Sequence, residues 1–400
     1  MRRVLERVAP LAVLLALILA PGCGARFELP TETDQAIIPG DGSYQMVATW
    51  SGMTGVRDLL LTQGSGTQLF LLFNTGGTGL APRGDVRSYA RKLTTGVPSP
   101  IPGISFATLF NPIALHTGSS GAAGSGRIFV LDAGDSCLAR TDPAAPGVCD
   151  PGYQAQGRRI TNLAATWRVR EYGLLGGDTI STFTDTTMAD VAGIAADDQG
   201  RVYVAGSAII YVPDPNDDRI RTRRLLYRIY RYLRGPRYPG VIPVPRDPFM
   251  PGANWHRDTT FVVEEGSGLG TLVDPRGLYW SSAGGAALYA ADFGKNWVQK
   301  LDPSQSSAGF YFLDGGRSGE AFNGPTDVVV DLQGFLYLCD TGNRRVVRYA
   351  ADQEYVQTVN VEPDAQGQDL MNPIAVAADD SLVYVADGDL AKVIRYQRRK

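Results

Sequence analysis

The chain is poor in side chains that hold metal ions: among its 400 residues there are two histidines, His116 and His256, and four cysteines. No His-Glu-x-x-His run and no paired Cys-x-x-Cys spacing occurs, which removes the familiar zinc signatures. A Gly-x-Ser-x-Gly elbow, a phosphate loop and a dinucleotide fingerprint are missing as well. The Ser- and Gly-rich run at residues 118–126 has no base attached to it and reads as a loop. Lysine is equally scarce, five of 38 basic residues, so the bias toward arginine is compositional except where arginines cluster. A net charge of -3 with 20% charged residues gives no overall attraction to nucleic acid or to anionic membranes.

Beyond residue 20 no segment is long and apolar enough to cross a bilayer. Before it, Arg2, Arg3 and Arg7 precede an apolar run at residues 8–20, followed by Pro21, Gly22 and Cys23. A basic start with so short an apolar stretch is an export signal. The small residues before Cys23 resemble the lipobox of bacterial lipoproteins, although Pro21 is unusual there and Leu19 sits one place too far upstream. That resemblance implies a lipid on Cys23, and Gly24 after it implies the outer membrane. Ordinary signal cleavage nearby is the alternative. The expected organisation is a signal peptide at residues 1–22, a polar tether at 23–42 and a folded domain at 43–400. Export permits disulfides. Cys137 and Cys149 flank a Pro-rich turn and are the natural pair, worth about 2–3 kcal/mol if unstrained. Cys339 reads as a small buried filler.

The chain is organised around residues 322–349, FNGPTDVVVDLQGFLYLCDTGNRRVVRY. Three short runs rich in β-branched and aromatic residues alternate with two tight turns, the pattern of three antiparallel strands. The second run and its closing acid recur, ending at Asp132, Asp292, Asp340 and Asp387. Two further echoes end at Asn74 and Gly206. Eight residues after each acid stands a base: Arg140, Lys300, Arg348 and Arg395. The run before each echo repeats too, which gives six units.

These units resemble the NHL repeat, in which a Pro or Gly turn, a Val-rich strand, a Gly turn, a Tyr-Val-x-Asp strand and an Asn-Arg-Val strand follow one another. The match is close at residues 322–349 and 371–397, fair at 274–301 and loose in the first three units. The resemblance implies an all-β, six-bladed propeller of four-stranded antiparallel blades, and no single activity. Outermost strands are expected at residues 104–109, 179–183, 259–265, 309–314 and 354–360. The sixth unit ends without one, and residues 44–50 at the other end of the chain can supply it and close the ring. Two insertions interrupt the pattern. Residues 143–177 fall between the third and fourth strands of unit two, and residues 213–222 between the second and third of unit three, so they are expected on opposite faces.

Blade symmetry places Asp132, Asp292, Asp340 and Asp387 around one face. An acid ending a strand accepts hydrogen bonds from the following turn amides, and losing such a cap costs about 1 kcal/mol. The same face carries Asn296, Asn343 and Arg344 in the adjoining turns and the insertion at 213–222. Loops on a rigid scaffold are where binding residues concentrate, so this face is the expected binding surface. Residues 219–237 interleave arginines with tyrosines and leucines, as surfaces that bind anions do, and blade order makes them a third strand. His116 falls on an inner strand near the channel. The function these features support is a non-catalytic scaffold for a protein or glycan partner of the cell envelope, with no cofactor and no nucleic acid. The alternative is a hydrolase or lyase of lactonase or amidating-lyase type with Ca²⁺ in the channel. The histidine-bound zinc that resemblance to amidating lyases implies has no matching ligand set here.

Overall fold

The computed structural model describes residues 42–62, 68–74, 84–91, 99–102, 104–106, 109, 111–119, 126–133, 141–142, 145–149, 167–174, 176–185, 187–214, 217–235, 241–243, 255–283, 285–363 and 366–399. Residues 1–41, with the expected signal peptide, all but the last residue of the expected tether and Cys23, lie outside them, as does Cys137.

The described chain is an all-β, six-bladed propeller. The innermost strands are Val56–Leu61, Pro112–Ser119, Met188–Ala196, Pro275–Ser281, Pro325–Val330 and Pro373–Ala378. Each contacts the next around a ring in which blade six meets blade one. Neighbouring blades cover both faces of these strands, so apolar residues can run almost unbroken along them, as in PIAVAA of blade six.

Blades four, five and six are four-stranded meanders with short turns. The ring is closed as the sequence implies: Tyr44–Ser51 pairs antiparallel with Lys392–Arg398, from Tyr44 opposite Arg398 to Ser51 opposite Lys392. Trp50 is fully buried there between Tyr89 of blade one and Tyr384 of blade six. Tyr44 reaches the other way, its hydroxyl 3.0 Å from that of Tyr337 in blade five.

Blades one to three depart from the simple scheme. In blade one Val56–Leu61, Gln68–Asn74 and Gly84–Ala90 are paired, and the described residues within 104–109 do not form the expected fourth strand. Leu109 makes a single bridge to Gly84, while Ser105–Phe106 crosses to pair in parallel with Gly176–Phe183, the outermost meander strand of blade two. In blade two the third strand is Arg168–Gly173, paired with Gly126–Asp132. The insertion therefore lies between strands two and three, not three and four, and leaves from the face that bears the acids. Both insertions thus join a second strand to a third at that face; Arg140 lies outside the described residues, and the third strand of blade two is the one beyond the insertion. A short hairpin, Thr141–Asp142 with Ala145–Cys149, falls within this insertion.

In blade three Val202–Asp214 and Asp217–Arg234 form a hairpin far longer than its counterparts, and Trp255–Val263 and Val241–Pro243 complete the sheet. The arginine-rich stretch is thus the third strand. Its inner arginines are absorbed by structure: Arg231 pairs with Asp258 at 2.6 Å beneath Phe261, and Arg234 lies over Trp255 and pairs with Glu171. Cys339 is buried and unbridged, the expected filler.

Candidate functional site

The repeated acids end the second strands, and all four are buried. Each holds the linker that enters its own blade. Asp132 accepts from the Asn111 amide at 2.7 Å, Asp340 from Asn323 at 2.7 Å and Asp387 from Met371 at 2.7 Å. Asp292 accepts from Val273 at 3.0 Å and Asp274 at 2.9 Å. The linker returns the bond through its carbonyl: Ala133, Phe293, Gly342 and Gly388 donate to Asn111, Asp274, Asn323 and Asn372. In blade one the register puts Phe73 where the acid stands elsewhere, and Asn74, one residue on, donates to Asn111 of the linker entering blade two. In blade three Gly206 has no room for one, because a Cβ there would lie 2.0 Å from the Asp190 carbonyl oxygen. Burial raises the Asp292 carboxyl above its ordinary range, although the amides of Asp274 and Val273 and the charge of Lys295 lower it.

The turns after Asp292, Asp340 and Asp387 share a geometry: the residue four after the acid, Asn296, Arg344 or Ala391, has φ of 58°, 55° or 50°. The Asn296 side-chain oxygen accepts from the Gly324 amide of the next linker, and Asn343 donates to the Ala321 carbonyl and to Asp340. Of the seven residues proposed from sequence for binding, Arg344 alone keeps an exposed side chain with no partner among the described residues.

The rim of the channel on this face comes from a feature the sequence reading missed. Every innermost strand has a register shift at the same place, one residue after the position opposite the acid or its counterpart, Phe73 in blade one and Gly206 in blade three. A bulge re-aims its extra residue. Those residues are Arg57, Ile113, Ala192, Arg276, Thr326 and Ile374, so blades one and four, opposite each other in the ring, each set an arginine on the rim. Arg57 is exposed with no partner among the described residues, and Arg276 pairs with Asp274 at 2.8 Å over the Phe293 ring.

The next position inward is Asp58, Ala114, Gly193, Gly277, Asp327 or Ala375. Its side chain points at the following blade: at Gly193 a Cβ would lie 2.4 Å from the Arg276 carbonyl oxygen. Where blades stand further apart a carboxylate bridges them. Asp58 accepts from its neighbour Leu59 at 2.8 Å and from Leu115 of blade two at 2.7 Å. Asp327 does the same with Val328 and with Val376 of blade six, both at 2.8 Å. Both side chains are half-buried. Burial raises both carboxyls, Asp327 to about 6, and the charge of Asp327 pushes Asp58 up further.

Deeper in the channel, the buried His116 ring lies edge-on to Tyr279 with centroids 5.0 Å apart. Its Nδ1 donates to the Thr117 carbonyl at 2.5 Å and its Nε2 accepts from the Trp280 amide at 3.3 Å. Burial lowers the imidazole to about 4, so it is neutral at physiological pH and acts as a strut across the channel.

A pH dependence follows for Asp327. Its folded-state value lies above the unfolded carboxyl value of about 4, so its stabilising contribution is complete below that value. The contribution is lost as pH rises through about 6. Urea midpoints of the wild type and Asp327→Asn should therefore diverge in the variant's favour between about pH 4 and about pH 6.5. A difference that does not change with pH contradicts the assignment.

Among the described residues no three of His, Cys, Asp or Glu form a group able to hold a metal ion. No protein-family model and no curated protein matches the chain. Among solved structures, selenomethionine-substituted virginiamycin B lyase from Staphylococcus aureus aligns over 89% of this chain and 99% of its own at 11% identity, with a TM-score of 0.41. A catalytically inactive form of that enzyme with quinupristin aligns over the same shares at 10% identity and a TM-score of 0.41. At these values neither alignment bears on the activity of this chain.

Proposed function

We propose that the protein is an exported propeller, lipid-anchored at Cys23 in the outer membrane, that binds an envelope protein or glycan on its acid-bearing face without chemistry of its own. The observation that carries this reading is the division of labour on that face. The repeated acids and amides are spent on linkers, whereas Arg57 and Arg344 stand exposed and unpaired among the described residues. Such residues add little to stability, and a rigid frame presents them at fixed spacing. The N-terminal pattern supports the anchor, and in that compartment Cys137 and Cys149 are bridged, which thiol alkylation before and after reduction reads directly.

Affinity capture from the native envelope tests the reading. Asn343 is a poor probe because its side chain holds Asp340. Replacing Arg57 and Arg344 together with Ala should change stability by no more than about 0.5 kcal/mol and weaken capture. Undiminished capture would overturn the choice of surface. In the same cells, fatty-acid labelling should disappear in Cys23→Ser, and persistent labelling would remove the anchor.

One observation favours a second reading, catalysis in the channel. Asp58 and Asp327 are carboxylates of raised and interacting pKa beside a channel, an arrangement that suits proton transfer. A stoichiometric tightly bound ion in purified protein would carry the metal-dependent form of it.

A further inference from the structure

In the regular blades the second and third strands end level with the acid, as at Asp340 opposite Arg345 and Asp387 opposite Lys392. In blade three that level is Gly206 opposite Arg228, and the hairpin continues to Asp214 opposite Asp217. At about 3.3 Å per residue the extension projects roughly 25 Å beyond the face.

The two sides of this ribbon differ. Ala208 and Ile210 point into the core shared by blades two and three. On the other side Ile209 stands opposite Leu225, with Tyr211 diagonal to it. Tyr211 is 58% exposed and Leu225 55%. A solvent-facing side of a sheet is ordinarily polar, so this side is built for contact.

The edges differ too. On the second strand the Ile209 amide is taken by the Thr187 carbonyl, and Pro213 has no N–H to offer. On the third strand the Tyr227 amide is taken by Glu265 at 2.9 Å. Beyond it, by alternation, the amides and carbonyls of Arg221, Arg223 and Leu225 face outward, with no strand beside them among the described residues. One edge is blunted and the other open, the condition for adding a strand. Arg221 and Arg224 are both exposed, and no described acid pairs with either.

We propose that the open edge at Arg221–Leu225 receives an extended acidic segment of a partner protein as an added strand. Its main chain would pair with the edge, its apolar residues would pack on Tyr211 and Leu225, and its carboxylates, on the other side, would meet Arg224, which stands opposite Ile210. This deepens the scaffold reading, on which it rests, by naming the partner's chemistry.

The test uses the full chain and a fluorescent decapeptide of alternating Glu and Val, followed by anisotropy. Binding is expected to weaken with salt, and Arg224→Glu should weaken it by about tenfold or more, as for replacing an attractive charge by a repelling one. Leu225→Thr, which keeps strand propensity, should weaken it with the arginines intact. Methylating alternate peptide amides should abolish it. Equal binding of a Lys–Val decapeptide, indifference to the charge reversal, or no binding of the Glu–Val probe would each overturn the proposal. So would dimerisation lost in Leu225→Thr, which would assign the ribbon to a second copy. Anionic vesicles bound in preference to the peptide would assign it to membrane. If the ribbon variants lose peptide while the Arg57 and Arg344 variant captures normally, the rim reading fails and the ribbon stands.

Discussion

Asp340→Ala should destabilise the protein by about 3–5 kcal/mol in chemical denaturation, the range for breaking a buried ion pair from one side. The Asp340 carboxylate is fully buried, and it accepts from the Asn323 amide, Asn343 Nδ2 and Arg345 Nε at 2.7, 2.8 and 2.7 Å. Alanine would leave Arg345, mostly covered itself, without its main counter-charge. It would also strand a linker amide. The turn cap expected from sequence was worth about 1 kcal/mol, and what raises the cost is the arginine. Asp340→Asn keeps one acceptor and should fall between alanine and wild type. A cost below about 1 kcal/mol for alanine would mean that water replaces the carboxylate and that the linker is not held by it. The variant should never be read as a binding defect, since it loosens the frame beneath the face.

The same residue shows how far the sequence could be read. A strand ending in acid, repeated at one register, is a backbone signal, because every blade must close the same turn and hold the same linker. The six-fold ring, the shared blade and the closing strand were legible on that ground. The third strand of blade two was not. Arg140 stands at the expected distance from Asp132, yet the partner of that strand lies beyond the insertion, at Arg168–Gly173. Distance along a chain cannot reveal pairing across an insertion when the pairing itself supplies the energy.

The channel residues were hidden for the opposite reason. At the position after the bulge the six blades carry Asp, Ala, Gly, Gly, Asp and Ala, so nothing repeats there. The choice follows how near the next blade stands, which is a property of the ring. Aligning the inner strands would have exposed Asp58 and Asp327 as two acids among small residues. It would not have told that each reaches the next blade's amide, nor that Arg57 and Arg276 reach the rim. Arg344 was found because it lies in a repeated turn, whereas the open edge of the ribbon depends on which neighbours stop short of it.

Trp50→Ala should cost about 3–5 kcal/mol, the range for truncating a large buried aromatic, and removal of residues 42–51 should abolish cooperative folding. Trp50 is fully buried, with ring centroids 6.2 Å from Tyr89 and 5.9 Å from Tyr384. The cavity left by alanine would open at the junction of first and last blades, where no loop can collapse into it. Deletion does more. It strips the outer edge of Lys392–Arg398, removes Tyr44 from beside Tyr337, and takes away the Ser43 carbonyl that receives the Arg399 amide. An exposed edge ending in an apolar blade face also invites pairing with another chain. The truncated protein should therefore aggregate, and a peptide of residues 42–51 added during refolding should restore soluble monomer in part. Val356→Ala, at an exposed position in the outer strand of blade five, is the control and should shift stability by no more than about 0.5 kcal/mol. A truncated chain that unfolds cooperatively at the wild-type midpoint would show that the ring is held by its inner strands alone.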